Sequence, residues 1–130
     1  MRFEEGKGKL KVFGEVFFLG KDLIILLGGG EKPHVGSVAI ALPRKSLKEK
    51  EKTSCTSSVY NLLGHKDEVI VRMLAEKVCV ALNKVVVCAG GVHIENASEE
   101  EICEIVENCN KLAEKIVNAL QNTVSENVSN

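Results

Sequence analysis

Two apolar periods divide the chain. Up to about residue 63 the apolar positions alternate or fall in short continuous runs, and from residue 67 they recur mostly at three- and four-residue spacings. The first pattern fits strands, whose successive side chains point to opposite faces; the second fits helices with one buried stripe. Residues 9–19 and 23–27 predict two strands joined at Gly20-Lys21, followed by Asp22, a short hairpin turn of the glycine-first kind. The second strand, Leu23-Ile24-Ile25-Leu26-Leu27, is apolar on both faces and belongs in the middle of a sheet. Residues 34–42 predict a third strand in which small residues line one face, so a helix or a ligand should lie close against it. Pro43 is expected to end that strand, because proline cannot donate to a ladder. Residues 53–63 predict a fourth strand that opens with a run of hydroxyls.

A helix is expected from about Asp67 to Leu82, with Glu68, Arg72 and Glu76 as a charged stripe and Ile70, Val71, Leu74, Val78 and Leu82 facing inward. Residues 85–89 read as a short buried strand. The last helix carries the clearest local signal. Ser98 and Glu101 form a capping box, and Ile102, Ile105, Val106, Cys109, Leu112, Ala113, Ile116 and Leu120 make one apolar stripe. The order ββββαβα predicts an α+β fold, a mainly antiparallel sheet of about five strands with two helices packed on one face. Residues 1–122 are expected to form a single domain and residues 123–130 a polar, frayed tail.

Composition narrows the function classes. A chain of 130 residues with 45% hydrophobic and 27% charged residues can build its own core without a disulfide or metal staple. The net charge of −1 and an aromatic content of 4% argue against nucleic acid as a partner. The N-terminal segment mixes charges of both signs, and the apolar stretch of residues 16–27 is broken by Gly20, Lys21 and Asp22, so a cytoplasmic chain without a membrane span is expected. None of the five cysteines forms a CxxC pair, and Cys79, Cys88, Cys103 and Cys109 fall in patterns that predict small buried hydrophobes.

All three histidines sit in or beside glycine-bearing segments: His34 within residues 28–36, His65 within 62–68 and His93 within 89–96. Binding chemistry is commonly carried by loops on a rigid scaffold, so one rim formed from these segments would be a site. Gly28-Gly29-Gly30 follows a buried strand, but no Walker lysine follows and no helix begins there, which favours plain turn residues over a phosphate loop. Ser54, Ser57 and Ser58 could hold an oxyanion or bond an edge-strand backbone. His34, His65 and His93 with Glu95 or Asp67 would make a metal shell only if the fold converged them. Cys55 lacks a nucleophile motif. The segment from Gly90 and Gly91 through His93 and Glu95 to Asn96 is the most chemically loaded, since a strand pattern places His93 and Glu95 on one side.

Three runs, PHVGSVAIALPR, TSCTSSVYNLLGHKDEVIVRMLAEKV and VVVCAGGVHIENASEEEI, together resemble the LpdD-like prenylated-flavin chaperones, the small accessory proteins of hydroxyarylic-acid (gallate and hydroxybenzoate type) decarboxylases. The similarity covers roughly residues 28–108. It implies kinship with proteasome-assembly-chaperone folds, a homodimer, and a non-catalytic helper for a UbiD-like decarboxylase large subunit that uses prenylated flavin mononucleotide (FMN). The matching positions are Pro33, His34 and Gly36; Thr53, Ser54, Ser57 and Ser58; Gly64, His65 and Lys66; and Gly91, His93 and Asn96. The expected function is therefore a small accessory protein whose glycine-histidine rim holds a partner or the phosphate end of FMN or prenylated FMN. The alternative is a small hydrolase or lyase that uses a metal or His93 with Glu95.

Overall fold

A computed structural model describes residues 1–62 and 66–128, apart from the side chains of Lys66 and residues 123–128. Among the described residues six strands form one sheet: β1 (Arg2–Glu5), β2 (Val12–Leu19), β3 (Asp22–Gly30), β4 (Ser37–Lys45), β5 (Thr53–Asn61) and β6 (Val86–His93). Two α-helices accompany it, α1 (Lys66–Leu82) and α2 (Glu99–Val128). The strand order is β1-β2-β3-β6-β4-β5, and every neighbouring pair is antiparallel except β3 with β6. The α+β fold read from the apolar periods is the one observed, with one strand more than expected.

Both helices cover the same face. α1 packs on β4, β5 and β6, and α2 packs on β1, β2 and α1. Alternate strand residues feed this core: Val12 and Val16, Leu23, Ile25 and Leu27, Ala39 and Ala41, Val86 and Cys88. They meet Leu74 and Val78 of α1 and Leu112, Ile116 and Leu120 of α2. The small side chains of Ala39 and Ala41 let α1 approach β4, as the third strand's pattern implied. Ser98 and Glu101 exchange hydrogen bonds of 3.0 and 3.1 Å at the start of α2, closing the capping box.

Among the described residues no helix covers the opposite face of the sheet. On it Phe17, Leu26, Ile40, Leu42 and Tyr60 are each between 42% and 69% exposed. At one edge Arg2 bridges Glu4 and Glu15 at 3.1 and 3.0 Å and lies 4.1 Å over the Phe13 ring.

Several local expectations change. β1 is short and charged and shows no alternation that a sequence pattern would catch; its pairing with β2 and the Arg2 contacts hold it. Gly28-Gly29-Gly30 is the end of β3, not a turn. The Phe13 ring covers Gly28, and the β2 backbone lies against Gly29, so side chains there would collide. β4 runs past Pro43 to Lys45, because at Pro43 the strand has passed the end of its pairing with β6 and only β5 remains to be bonded. Gly90 and Gly91 lie inside β6 in unbroken register with Leu27 and Gly28. Cys103 is exposed rather than buried. α2 continues through the expected tail segment as far as Val128. No helix among the described residues is long and apolar enough to cross a membrane.

Burial pushes the thiols of Cys79 and Cys109 up to about 11 and about 12, and that of Cys88 higher still. Burial and the nearby Glu76 carboxylate also raise that of Cys55. A maleimide at neutral pH should therefore add first at Cys103 and slowly at Cys55, with the other three reacting only after denaturation. Peptide mass mapping checks the order, and early labelling of Cys88 would contradict the packing.

Candidate functional site

The parallel pair brings the C-terminal ends of β3 and β6 to one edge of the sheet, where β4 begins with Ser37 opposite Gly90. Beyond β3 the chain folds over the end of β6, the Glu31 N–H donating to the His93 carbonyl at 2.8 Å. Gly30 permits this turn: its φ is 72°, and a Cβ there would fall on the His93 carbonyl. His34 is thereby carried to His93, their rings edge-to-face with centroids 6.2 Å apart.

Asp67, in the first turn of α1, sits at the centre of this edge. Its side chain is only 8% exposed. Oδ1 accepts the Val92 N–H at 3.0 Å, and Oδ2 lies 3.0 Å from His34 Nε2. A buried carboxylate needs such partners, and the N-terminus of α1 adds a favourable dipole. It also needs room. A Cβ on Gly36 would collide with Asp67 Oδ2, and one on Gly91 would lie 3.0 Å from the carboxylate carbon and both oxygens. Glycine at these two positions is thus space for a carboxylate.

His34 Nδ1 faces the Lys32 carbonyl at 3.2 Å, so both neighbours of the ring are acceptors. The two bonds form together when each ring nitrogen carries a hydrogen. His93 is half exposed, and its Nε2 stands 3.9 Å from Glu95 Oε2, beyond hydrogen-bond range. Glu95 is itself 68% exposed, so the two side chains do not form a fixed acid-base pair. The Glu95 N–H donates to Glu31 at 3.2 Å, and Asn96 turns the chain toward α2 with φ 52°, a conformation asparagine tolerates.

The rim thus gathers His34, Gly36, Gly90, Gly91 and His93, with Glu95 and Asn96 just beyond the end of β6. The hydroxyls of β5 do not join it. Ser54 pairs with Arg44, and the stretch of β4 from Ser37 to Arg44 spans about 23 Å at strand rise. Ser57 faces α1 and donates to Glu76 at 2.6 Å, while Ser58 is exposed opposite Ile40. Gly64 and His65 lie outside the described residues, as does the side chain of Lys66. Because Gly90 and Gly91 are strand residues, this part of the rim is sheet edge rather than loop. Among the described residues no group of three or more His, Cys, Asp or Glu side chains is arranged as a metal site.

Asp67 is the residue the sequence underplays. Its local pattern marks only a helix start and one acid for a metal shell, because nothing nearby in the chain shows that glycines from two distant segments, Gly36 ahead of β4 and Gly91 in β6, flank it. Gly36→Ala should destabilise the protein by about 1–3 kcal/mol through overpacking, and clearly less so in an Asp67→Ala background. A denaturant double-mutant cycle measures the coupling; additive effects would contradict this geometry.

The fold resembles that in the crystal structure of a chaperone complex for yeast 20S proteasome assembly, with a TM-score of 0.55, 11% identity and 94% coverage of both chains. At that identity the likeness concerns the fold alone. No curated protein matches the sequence. The family model for the prenylated flavin chaperone LpdD-like domain matches residues 6–121, a span that takes in all of the sheet but β1, the rim, α1 and most of α2. The chain belongs to the LpdD-like prenylated flavin chaperone family.

Proposed function

We propose that the protein is a cytoplasmic, non-catalytic accessory protein that binds prenylated FMN, or the enzyme that uses it, at the His34–Asp67–His93 rim. Its client is a UbiD-like decarboxylase large subunit, and it works as a homodimer. The observation that carries this reading is the wiring of Asp67: both carboxylate oxygens are engaged inside the protein, by His34 and the Val92 N–H. Such a carboxylate fixes the shape of a rim. It is not poised to take a substrate proton. The half-exposed His93 is left to meet a ligand's polar edge.

The helix-free sheet face supports the dimer. Its apolar centre of Leu26, Ile40, Leu42 and Phe17 is flanked by the Arg2–Glu4–Glu15 cluster on one edge and by Ser54, Thr56 and Ser58 on the other. An apolar centre with a polar rim is the anatomy of a protein interface, and apolar patches of this kind are rarely left open to water.

Two measurements test the proposal. Sedimentation should give a dimer for the wild-type chain and a monomer for Ile40→Glu, with unchanged circular dichroism because Ile40 lies outside the helix-covered core. A wild-type monomer would contradict the homodimer. Affinity capture of the tagged chain from its native host should retain a decarboxylase large subunit or a flavin chromophore. An eluate with neither would contradict the accessory role.

A further inference from the structure

Between the end of β6, the start of α1 and the first turns of α2 lies a pocket of about 240 Å³. Ile70, Val92, Ile94, Ile102 and Ile105 form most of its wall, and among the described lining residues Asp67 and His93 are the only polar side chains. Asp67 has both oxygens engaged, so the wall offers an occupant little hydrogen bonding apart from His93. A phosphate in this space would lie beside the Asp67 carboxylate, a like-charge contact that burial strengthens. The wall therefore selects an uncharged, apolar occupant.

Volume limits its size. An apolar cavity of about 150 Å³ holds benzene, so by the same packing this pocket accommodates about ten carbon atoms. Pockets that enclose a whole drug-sized ligand run from about 300 to 1,000 Å³. An intact flavin mononucleotide is too large and too polar to enter.

We infer that the pocket takes a compact, branched hydrocarbon group of about five to ten carbons, the prenyl-derived part of a ligand, while the polar remainder stays outside against His93 and His34. This rests on the reading that the protein handles prenylated flavin, and it orients that ligand with the hydrocarbon inward and the phosphate away from Asp67. The flavin-bound group and a free prenyl compound share this chemistry, and the test separates them.

The full chain, carrying ¹³C-labelled isoleucine methyls, is titrated separately with dimethylallyl alcohol, prenylated FMN and unprenylated FMN. The first two should shift the δ1 methyls of Ile70, Ile102 and Ile105 saturably, and unprenylated FMN should leave them in place. Ala97→Leu, which adds bulk at the pocket wall, should weaken binding of the alcohol by about tenfold, with Ala97→Gly retaining it. No response to the alcohol, or an equal response to unprenylated FMN, overturns the inference. So do methyl shifts on simple dilution of the protein, which would assign the pocket to a side chain of a second copy. Prenylated FMN binding that leaves the three methyls unmoved refutes the pocket and spares the accessory role. Binding of the alcohol without binding of prenylated FMN supports the pocket and refutes that ligand.

Discussion

A carboxylate taken out of water at the end of a sheet must be given partners and space together, and the candidate site follows from how Asp67 receives both. Its partners are the Val92 N–H and the His34 imidazole. Its space comes from Gly36 and Gly91, where any Cβ would press on the carboxylate. One interaction therefore ties together the start of α1, the end of β6 and the loop ahead of β4. Without it, nothing else in the described hydrogen bonding would hold the His34 ring to α1, and the edge-to-face contact of His34 with His93 would lose its anchor.

The same arrangement divides the molecule into surfaces with different duties. The helix-covered face is filled by alternate strand residues and by both helices, and it carries stability. The sheet edge at the parallel pair β3 and β6 carries the rim, with an aliphatic pocket opening beside it. The bare face carries exposed apolar side chains with charge at one margin and hydroxyls at the other. The short, charged β1 protects one edge of the sheet from unwanted pairing while leaving that face open.

Much of the fold was legible because apolar period and capping chemistry are local. The α2 stripe, its Ser98–Glu101 box and the Gly20-Lys21 hairpin depend on residues a few positions apart, and they read true. β1 was not legible, since its four residues are held by Arg2 and by pairing with β2 rather than by any pattern of their own. The glycines misled for a related reason. Gly28 and Gly91 resemble turn residues, yet they are strand positions emptied to admit the Phe13 ring and the Asp67 carboxylate, neighbours supplied by distant parts of the chain. Of the site, the flanking segments marked His34 and His93 as candidates for one rim but left their convergence open, because it depends on the turn at Gly30 and on the β3–β6 register. The separation of Ser54, Ser57 and Ser58 from the rim depended on the β4–β5 register, which no single segment encodes.

The central claim is that a rim built around Asp67 holds a prenylated flavin without transforming it. Equilibrium dialysis of prenylated FMN against the wild-type chain and Asp67→Ala, followed by mass analysis of the recovered cofactor, tests it directly. The account predicts that the wild-type chain binds the cofactor and returns it unchanged, and that the folded Asp67→Ala variant binds it markedly less well. Chemical conversion of the cofactor by the wild-type chain, or equal binding by the two proteins, would contradict it.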